Sequence, residues 1–132
     1  MSASTLIATW LQDELITDLV GNRKALGRLK QDTTYPALVY QVFMTPEPHV
    51  DYQNRPQLAM VRVQFNPLAT SVAGVEAIAA AIRTLMDFKH QVLIGGKRVV
   101  SSRLEQEGSI DPDGDDPSIY TQPIDYIVWY YE

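Results

Sequence analysis

The stretch from Leu58 to Phe88 constrains the fold more than any other part of this 132-residue chain. Its first nine residues, LAMVRVQFN, alternate with a period of two, as in a strand with one buried face; the apolar row is Ala59, Val61, Val63 and Phe65. A short turn then leads into an alanine-rich segment whose apolar residues recur at three-and-four spacing, which is typical of an amphipathic helix: Val75, Ile78, Ala79, Ile82, Leu85 and Met86. The sequence therefore predicts a strand followed by a helix laid across the sheet.

The remaining segments predict one more helix and several more strands in a single domain. An apolar stripe that follows the candidate N-cap Ser4 and ends at Gly21 predicts a helix over about 5–20. The dipeptide Gly95-Gly96 predicts a hairpin turn, and the segment 26–30 is a candidate short strand. The elements are then strands at about 36–43, 58–66, 91–94, 97–106 and 119–131, a second helix at about 71–88, and long loops at 44–57 and 108–118.

This order of elements indicates the α+β class, with a mostly antiparallel sheet and two helices packed on one face. A β-barrel with one covering helix is the alternative. The open sheet is favoured because each helix carries one apolar stripe, and both stripes need the same sheet face to bury them.

Composition excludes several functional classes. The chain has no cysteine, which rules out disulfides, thiolate zinc sites and thiol catalysis. No run approaches the ~20 apolar residues of a membrane span, and the N-terminus lacks a signal-peptide pattern, so we expect a soluble cytosolic protein without a membrane partner. The net charge of −5 argues against strong nucleic-acid binding, which depends on clustered lysine and arginine.

Motifs of catalysis are missing as well. His49 and His90 lie in different kinds of segment, without a second ligand at helical spacing or a nucleophile motif beside them. The segment 94–98 superficially resembles a phosphate loop, but no helix follows it, and a hairpin turn explains it better. We therefore expect neither an enzyme nor a cofactor.

The acidic loop 111–116, DPDGDD, raises the question of a calcium site. A helix-loop-helix calcium loop needs glycine at its sixth position and glutamate at its twelfth, but counting from Asp111 these are Asp116 and Gln122. Aspartate, proline and glycine also build turns for conformational reasons, so a structural turn is favoured. An acid pair of Asp113 and Asp115 in a hydrolase is weaker still, because exposed loop carboxylates lack the burial that separates their pKa values.

The aromatic C-terminus, YIVWYY, must place at least one row of its side chains in the core. We expect Ile127 and Trp129 to be buried, and Tyr126 and Tyr130 to be candidates for an interface, where tyrosine is enriched.

Taken in order along the chain, these segments resemble the tail completion or tail terminator proteins of long-tailed bacteriophages and prophages, also described as head-to-tail joining or minor tail proteins. The resemblance runs from about Leu6 to Tyr130. It is carried by Leu19-Val20-Gly21, Tyr35 to Tyr40, Met60 to Phe65 with Ala73 to Leu85, the hairpin Gly96 to Val99, Asp111-Pro112-Asp113 and the aromatic last strand.

The resemblance implies an α+β subunit that forms a six-membered ring on the tail tube, stops tube growth and offers a surface to the filled head. Its partners would be copies of itself, the tail tube protein and a head-tail connector or neck protein, in the virion and, during assembly, in the host cytoplasm. It brings no catalytic residues. The loops supply the other candidate interface residues: Glu47, His49, Asp51, Tyr52, Arg55, Asp113 and Asp115. The alternative function is a small ligand-binding or regulatory α+β domain, which would form a defined dimer.

Overall fold

The computed structural model describes residues 3–29, 34–44, 58–114 and 116–131. In these ranges the chain forms three helices and eight strands around one mostly antiparallel sheet, which confirms the α+β class. Their bounds, in chain order, are α1 Ala3–Trp10, α2 Glu14–Val20, β1 Lys24–Leu26, β2 Ala37–Met44, β3 Leu58–Ala69, α3 Val72–Met86, β4 Lys89–Ile94, β5 Lys97–Glu107, β6 Asp111–Pro112, β7 Tyr120–Thr121 and β8 Ile124–Tyr131.

The sheet has the strand order β1-β2-β3-β8-β5-β4, so β1 and β4 form its two edges within the described residues. β1 runs parallel to β2, and the other pairs are antiparallel. The short strand β7 continues alongside β3 beyond β8 and pairs with β6 on its other side. Pro67 lies where the partner of β3 changes from β8 to β7, a position that suits a residue without a backbone donor.

All three helices cover the same face of the sheet, which we call the inner face. At its centre lie the apolar row of β3 that the sequence predicted to be buried, from Ala59 to Phe65, and alternate residues of β8 from Ile124 to Tyr130. The apolar stripe of α3 packs on them, as its three-and-four spacing predicted. α1 and α2 contribute the remaining helical part of the core: Ala3, Leu6, Ile7, Trp10, Ile16 and Val20.

The predicted helix over 5–20 is wrong in one respect, because the chain breaks it at residues 11–13. The amides of Gln12 and Asp13 bond to carbonyls three residues back, and the carboxylate of Asp13 then accepts a hydrogen bond from the amide of Leu15 at 3.0 Å. Asp13 is thus the N-cap of a second helix. The break shifts the buried stripe, so Leu15 is exposed and Ile16 is buried in its place.

The other deviations are smaller. β3 extends three residues beyond the predicted strand, and the predicted loop 108–118 contains the two-residue strand β6. The short strand predicted at 26–30 is correct only at Leu26, because β1 spans Lys24–Leu26 and residue 30 lies outside the described residues. None of the helices in the described ranges has the length and apolar character needed to cross a membrane.

Candidate functional site

The face of the sheet opposite the helices carries a mixture of aromatic, apolar and charged side chains, and we call it the outer face. In the described ranges no helix packs on it. These residues are half-buried or exposed, and the strand register places them side by side: Gln41 and Phe43 on β2, Met60, Arg62 and Gln64 on β3, Asp125, Ile127 and Trp129 on β8, and Ser101 and Arg103 on β5.

One row of the outer face crosses four strands. Phe43 lies opposite Arg62, which lies opposite Ile127, which in turn lies opposite Arg103. The guanidinium carbon of Arg62 is 4.7 Å from the centre of the Phe43 ring, within the range of a cation–π contact. Next to this row, Trp129 faces Met60. Arginine, methionine and aromatic residues are the types enriched in protein interfaces, so the outer face has the composition of a contact surface.

The prediction for β8 assigned its two rows to the wrong faces. Tyr126 and Tyr130 are 0% and 1% exposed and belong to the core, whereas Ile127 and Trp129 are half-buried on the outer face. The reason lies in the register, because Tyr126 pairs with Val63, a core position of β3. Burial of the Tyr126 ring is possible because its hydroxyl has a partner, Asp87. Tyr126 and Tyr130 therefore lie within the core, away from the protein surface.

The Tyr126 hydroxyl donates a hydrogen bond of 2.6 Å to Asp87 Oδ1, directly after α3. Burial, this hydrogen bond and the negative charge of Asp87 raise the pKa of Tyr126 far above its usual value, while the positive charge of Arg83 opposes the rise. The hydroxyl is therefore a permanent donor at neutral pH. It fixes the end of α3 to the centre of the sheet.

A polar groove of about 540 Å³ lies between α3 and the end of β5. Arg83 forms an ion pair with Glu107 there. Gln122, which is 7% exposed, donates from Nε2 to Glu107 Oε1 at 3.2 Å and to the Gly108 carbonyl at 2.9 Å. Glu76 also lines the groove, together with Ala79, Ala80 and Ile110.

Between β5 and β7, two aspartates accept hydrogen bonds from nearby serines. The hydroxyl of Ser109 donates to Asp111 at 2.6 Å, and the Ser118 amide and hydroxyl both donate to Asp116 Oδ1. These bonds lower the pKa of Asp116. Asp113 is half-buried, and its amide donates to the Ile119 carbonyl. Across the described ranges no three His, Asp or Glu side chains approach closely enough to hold a metal ion.

The two edge strands expose large apolar side chains. Leu93 on β4 is 66% exposed, and Phe88, just before β4, is 79% exposed with a positive φ of 52°. On the other edge, Leu26 of β1 is 51% exposed and lines a groove of about 530 Å³ with Ala3, Ser4, Gly27 and residues 41–43. A bulky residue at positive φ is unusual and is often associated with function.

Six of the candidate interface residues lie outside the described residues: Glu47, His49, Asp51, Tyr52, Arg55 and Asp115. Sequence reasoning missed the groove and the outer face. Arg83 and Glu107 are 24 positions apart, and no local pattern indicates that they meet. For Trp129, the two alternating rows of β8 leave only two faces to choose between, but alternation alone does not decide which face is buried.

Known proteins resemble this chain in sequence pattern and in fold. The family model described as tail completion protein gp17 matches residues 4–130. A chain from the virion of a native gene transfer agent particle has the same fold, with a TM-score of 0.66, 10% identity, and coverage of 96% of this chain and 92% of that chain. A second solved structure gives a TM-score of 0.67 and 17% identity, with coverage of 100% and 96%. No curated protein matches significantly. Because the family model covers nearly the whole sequence, this chain belongs to the tail completion protein gp17 family.

Proposed function

We propose that this protein caps the end of the phage tail tube as a ring, most simply a hexamer, ends tube elongation and forms part of the surface that joins head and tail. The observation that carries the proposal is the match to the tail completion family over residues 4–130, which assigns the chain a structural role in the phage tail. On this proposal it works in the virion, after assembly in the host cytoplasm, and without catalysis.

The unlike edges of the sheet support a ring. A ring needs a heterologous contact, in which two different surfaces of each subunit meet around a closed circle. Leu93 and Phe88 project at the β4 edge, and the apolar groove around Leu26 lies at the β1 edge. Contact between unlike edges would bury both apolar sets at once, whereas a two-fold dimer through β4 would leave Leu26 exposed. An unpaired strand edge also gains hydrogen bonds from such a contact.

If the sheet edges form the ring contact, the outer face is free to contact other tail proteins. Arg62, Phe43 and Trp129 form the most interface-like patch of the described surface. We propose that this patch contacts the tail tube protein or the head-tail connector. Residues 47–55, which lie outside the described residues, and Asp113 remain proposed contacts for the same partners. With a net charge of −5 the subunit is not expected to grip DNA that passes through the ring.

The test combines tail tubes assembled without this protein with the purified chain, and follows tube length by negative-stain electron microscopy. The wild-type chain should bind one end of each tube and stop its growth. Leu93→Glu and Leu26→Glu should stay folded but remain monomeric in light scattering and leave tubes uncapped. Ala77→Glu, an exposed position on α3, is the matched control and should cap normally.

The outcomes separate the two parts of the proposal. Normal capping by both edge variants would rule out the edges as the ring contact while leaving the capping role intact. Failure of the wild-type chain to bind tube ends, with tube length unchanged, would overturn the capping role itself. Nanomolar affinity for DNA at physiological salt would contradict the expectation that the ring does not grip DNA.

A further inference from the structure

Basic and acidic residues occupy different parts of this sequence. All eleven lysine and arginine residues lie at or before Arg103, whereas eight of the sixteen aspartates and glutamates follow it. The charged side chains of the segment 104–132 are therefore all acidic, while residues 23–28, RKALGR, carry three basic side chains and no acidic one. The net charge of −5 thus combines two regions of opposite sign.

The sheet brings these two regions to opposite ends of one row of strands. Beyond the end of β8 the row is β1-β2-β3-β7-β6. Through β2, Lys24 of β1 is level with Pro67 of β3, and through β7, Asp111 of β6 is level with Leu68 of β3. β1 and β6 are therefore the outermost strands of this row, and within the described ranges each has one side without a strand partner.

We call Arg23, Lys24 and Arg28 the basic edge. Arg28 is exposed, and its guanidinium forms no ion pair with the residues that the structure describes. The Lys24 ammonium donates to the Leu11 carbonyl at 2.6 Å, and Arg23 Nε donates to the Pro36 carbonyl at 2.8 Å. Because a carbonyl is neutral, these bonds hold the two cations at the edge without cancelling their charge.

We call Glu105, Asp111 and Asp116 the acidic edge, and all three residues are exposed. The carboxylates of Asp111 and Asp116 accept hydrogen bonds from neighbouring serines, which are neutral. Pro112 of β6 has no backbone amide, so a regular ladder of backbone hydrogen bonds cannot extend along this edge. A contact here must therefore depend on side chains, and those side chains are negatively charged.

The two edges differ in what they can pair with in a second copy of the chain. Two-fold pairing through the same edge would place acidic side chains against acidic ones, or basic against basic, and both arrangements are repulsive. A head-to-tail contact places the acidic edge of one copy against the basic edge of the next, and the same contact can then repeat around a ring. The charges therefore favour the head-to-tail arrangement and oppose the two-fold one.

We propose that the acidic edge of one copy docks on the basic edge of the next copy, with Asp111 facing Arg28. The inference rests on the ring of the proposed function and adds to it an ionic contact that sets the head-to-tail direction. Leu26, which is 51% exposed, lies between Lys24 and Arg28 and would be covered by the same contact. β4 and β6 lie on the same side of β3, so the apolar and ionic contacts can belong to one interface.

The test measures self-association of the full chain by sedimentation velocity, with two charge-reversal variants. Arg28→Glu and Asp111→Lys should each weaken association at least about tenfold, because each places like charges across the contact. An equimolar mixture of the two variants should restore association into species of more than two copies. In the mixture the new glutamate faces the new lysine, and the unchanged Asp111 faces the unchanged Arg28.

Salt separates the ionic contact from the apolar one. Wild-type association should weaken between about 50 and about 500 mM NaCl, because salt screens exposed charges. Association that is independent of salt would leave the apolar contact alone and overturn the inference. If wild type assembles only on tail tubes, capping of tube ends by each variant and by the mixture is the measurement in place of sedimentation.

The other outcomes separate this inference from the proposed function. Association of both variants like wild type, or a mixture that does not recover, would overturn the ionic contact and leave the ring and the capping role intact. A mixture that forms two-copy species alone would overturn the head-to-tail direction. Normal association with loss of capping would assign these charges to another tail protein. A wild-type chain that stays monomeric both in solution and on tubes would overturn the ring, and this inference with it.

Glu14→Lys is the matched control, because Glu14 is exposed at the start of α2 and its replacement changes the net charge as much as Asp111→Lys does. It should leave association within about twofold of wild type. Circular dichroism and urea unfolding check the fold of each variant. Should Asp111→Lys fail to fold, Glu105→Lys takes its place in the mixture with Arg28→Glu, since Glu105 is exposed on the same edge.

Discussion

Replacing Tyr126 by phenylalanine should separate the contribution of one hydroxyl from that of the ring it belongs to. The ring lies fully buried on the inner face and makes an edge contact with Phe65 at 6.1 Å between centroids, which phenylalanine preserves. The hydroxyl donates to Asp87 at 2.6 Å. A hydrogen bond to a carboxylate is worth about 1.5–3 kcal/mol, and half-buried Asp87 can regain water, so we expect a loss of about 1.5 kcal/mol at pH 7.

The stability difference between wild type and Tyr126→Phe should also depend on pH. The pKa of Tyr126 is raised above the usual tyrosine value of 10.0 because burial and Asp87 favour the neutral hydroxyl. The stabilisation is therefore fully present below pH 10 and declines above it, because the unfolded tyrosine loses its proton while the folded one keeps it. The slope is about 1.4 kcal/mol per pH unit. The stability difference between wild type and Tyr126→Phe should thus shrink to near zero around pH 11.

Urea unfolding at fixed protein concentration, measured from pH 7 to 11, checks both parts. Tyr131→Phe is the control, because Tyr131 is 41% exposed on the same strand and its replacement should change the free energy of unfolding by less than about 0.5 kcal/mol. Equal stability of wild type and Tyr126→Phe at pH 7 would refute the importance of the Asp87 contact. A difference that stays constant up to pH 11 would refute the raised pKa.

Two further substitutions test local features of the fold. Asp13→Ala removes the N-cap of α2 and should cost about 1 kcal/mol in urea unfolding, whereas no measurable loss would mean that the helix break does not depend on this cap. Gly74→Ala places a Cβ atom 2.8 Å from the Cβ of Ala69, so it should destabilise by about 1–3 kcal/mol despite the better helix propensity of alanine. Increased stability would show that Ala69 moves aside at little cost.

The sequence was sufficient where a feature depends on local periodicity. The alternation from Ala59 to Phe65 and the stripe of α3 are both confirmed, because each pattern is set by the burial of one face of one element. The break between α1 and α2 was missed although its signal was present. Asp13 can cap a helix, but the apolar stripe continued on both sides of it and outweighed that signal.

Other features depend on register and distant contacts, which one sequence does not encode locally. β8 has two rows of similar apolar and aromatic character, so alternation alone could not choose the buried one. The choice followed from pairing with Val63 and from the partner that Asp87 offers to the Tyr126 hydroxyl. In the groove, Arg83 of α3 and Gln122, between β7 and β8, both contact Glu107 at the end of β5, and no spacing in the sequence indicates these contacts.

The two faces of strand β3 differ, because one is buried in the core and the other is on the outer face. Its inner row holds the core, while its outer row carries Arg62 over the Phe43 ring. Arg62→Gln removes an exposed cation–π contact worth about 0.5–1 kcal/mol, so the free energy of unfolding should fall by no more than that. If the outer face contacts another tail protein, the same variant should cap tubes poorly.

For Tyr126→Phe we expect the opposite result, a loss of stability with normal capping, because the substitution weakens the core and leaves the outer face unchanged. Below its unfolding temperature it should cap tubes as well as wild type does, despite its lower stability. Measuring unfolding and tube length for both variants therefore distinguishes a binding face from a merely solvated one. If Arg62→Gln caps normally, the outer face is not the contact surface, and other parts of the chain, such as the sheet edges, must provide the contacts to other tail proteins.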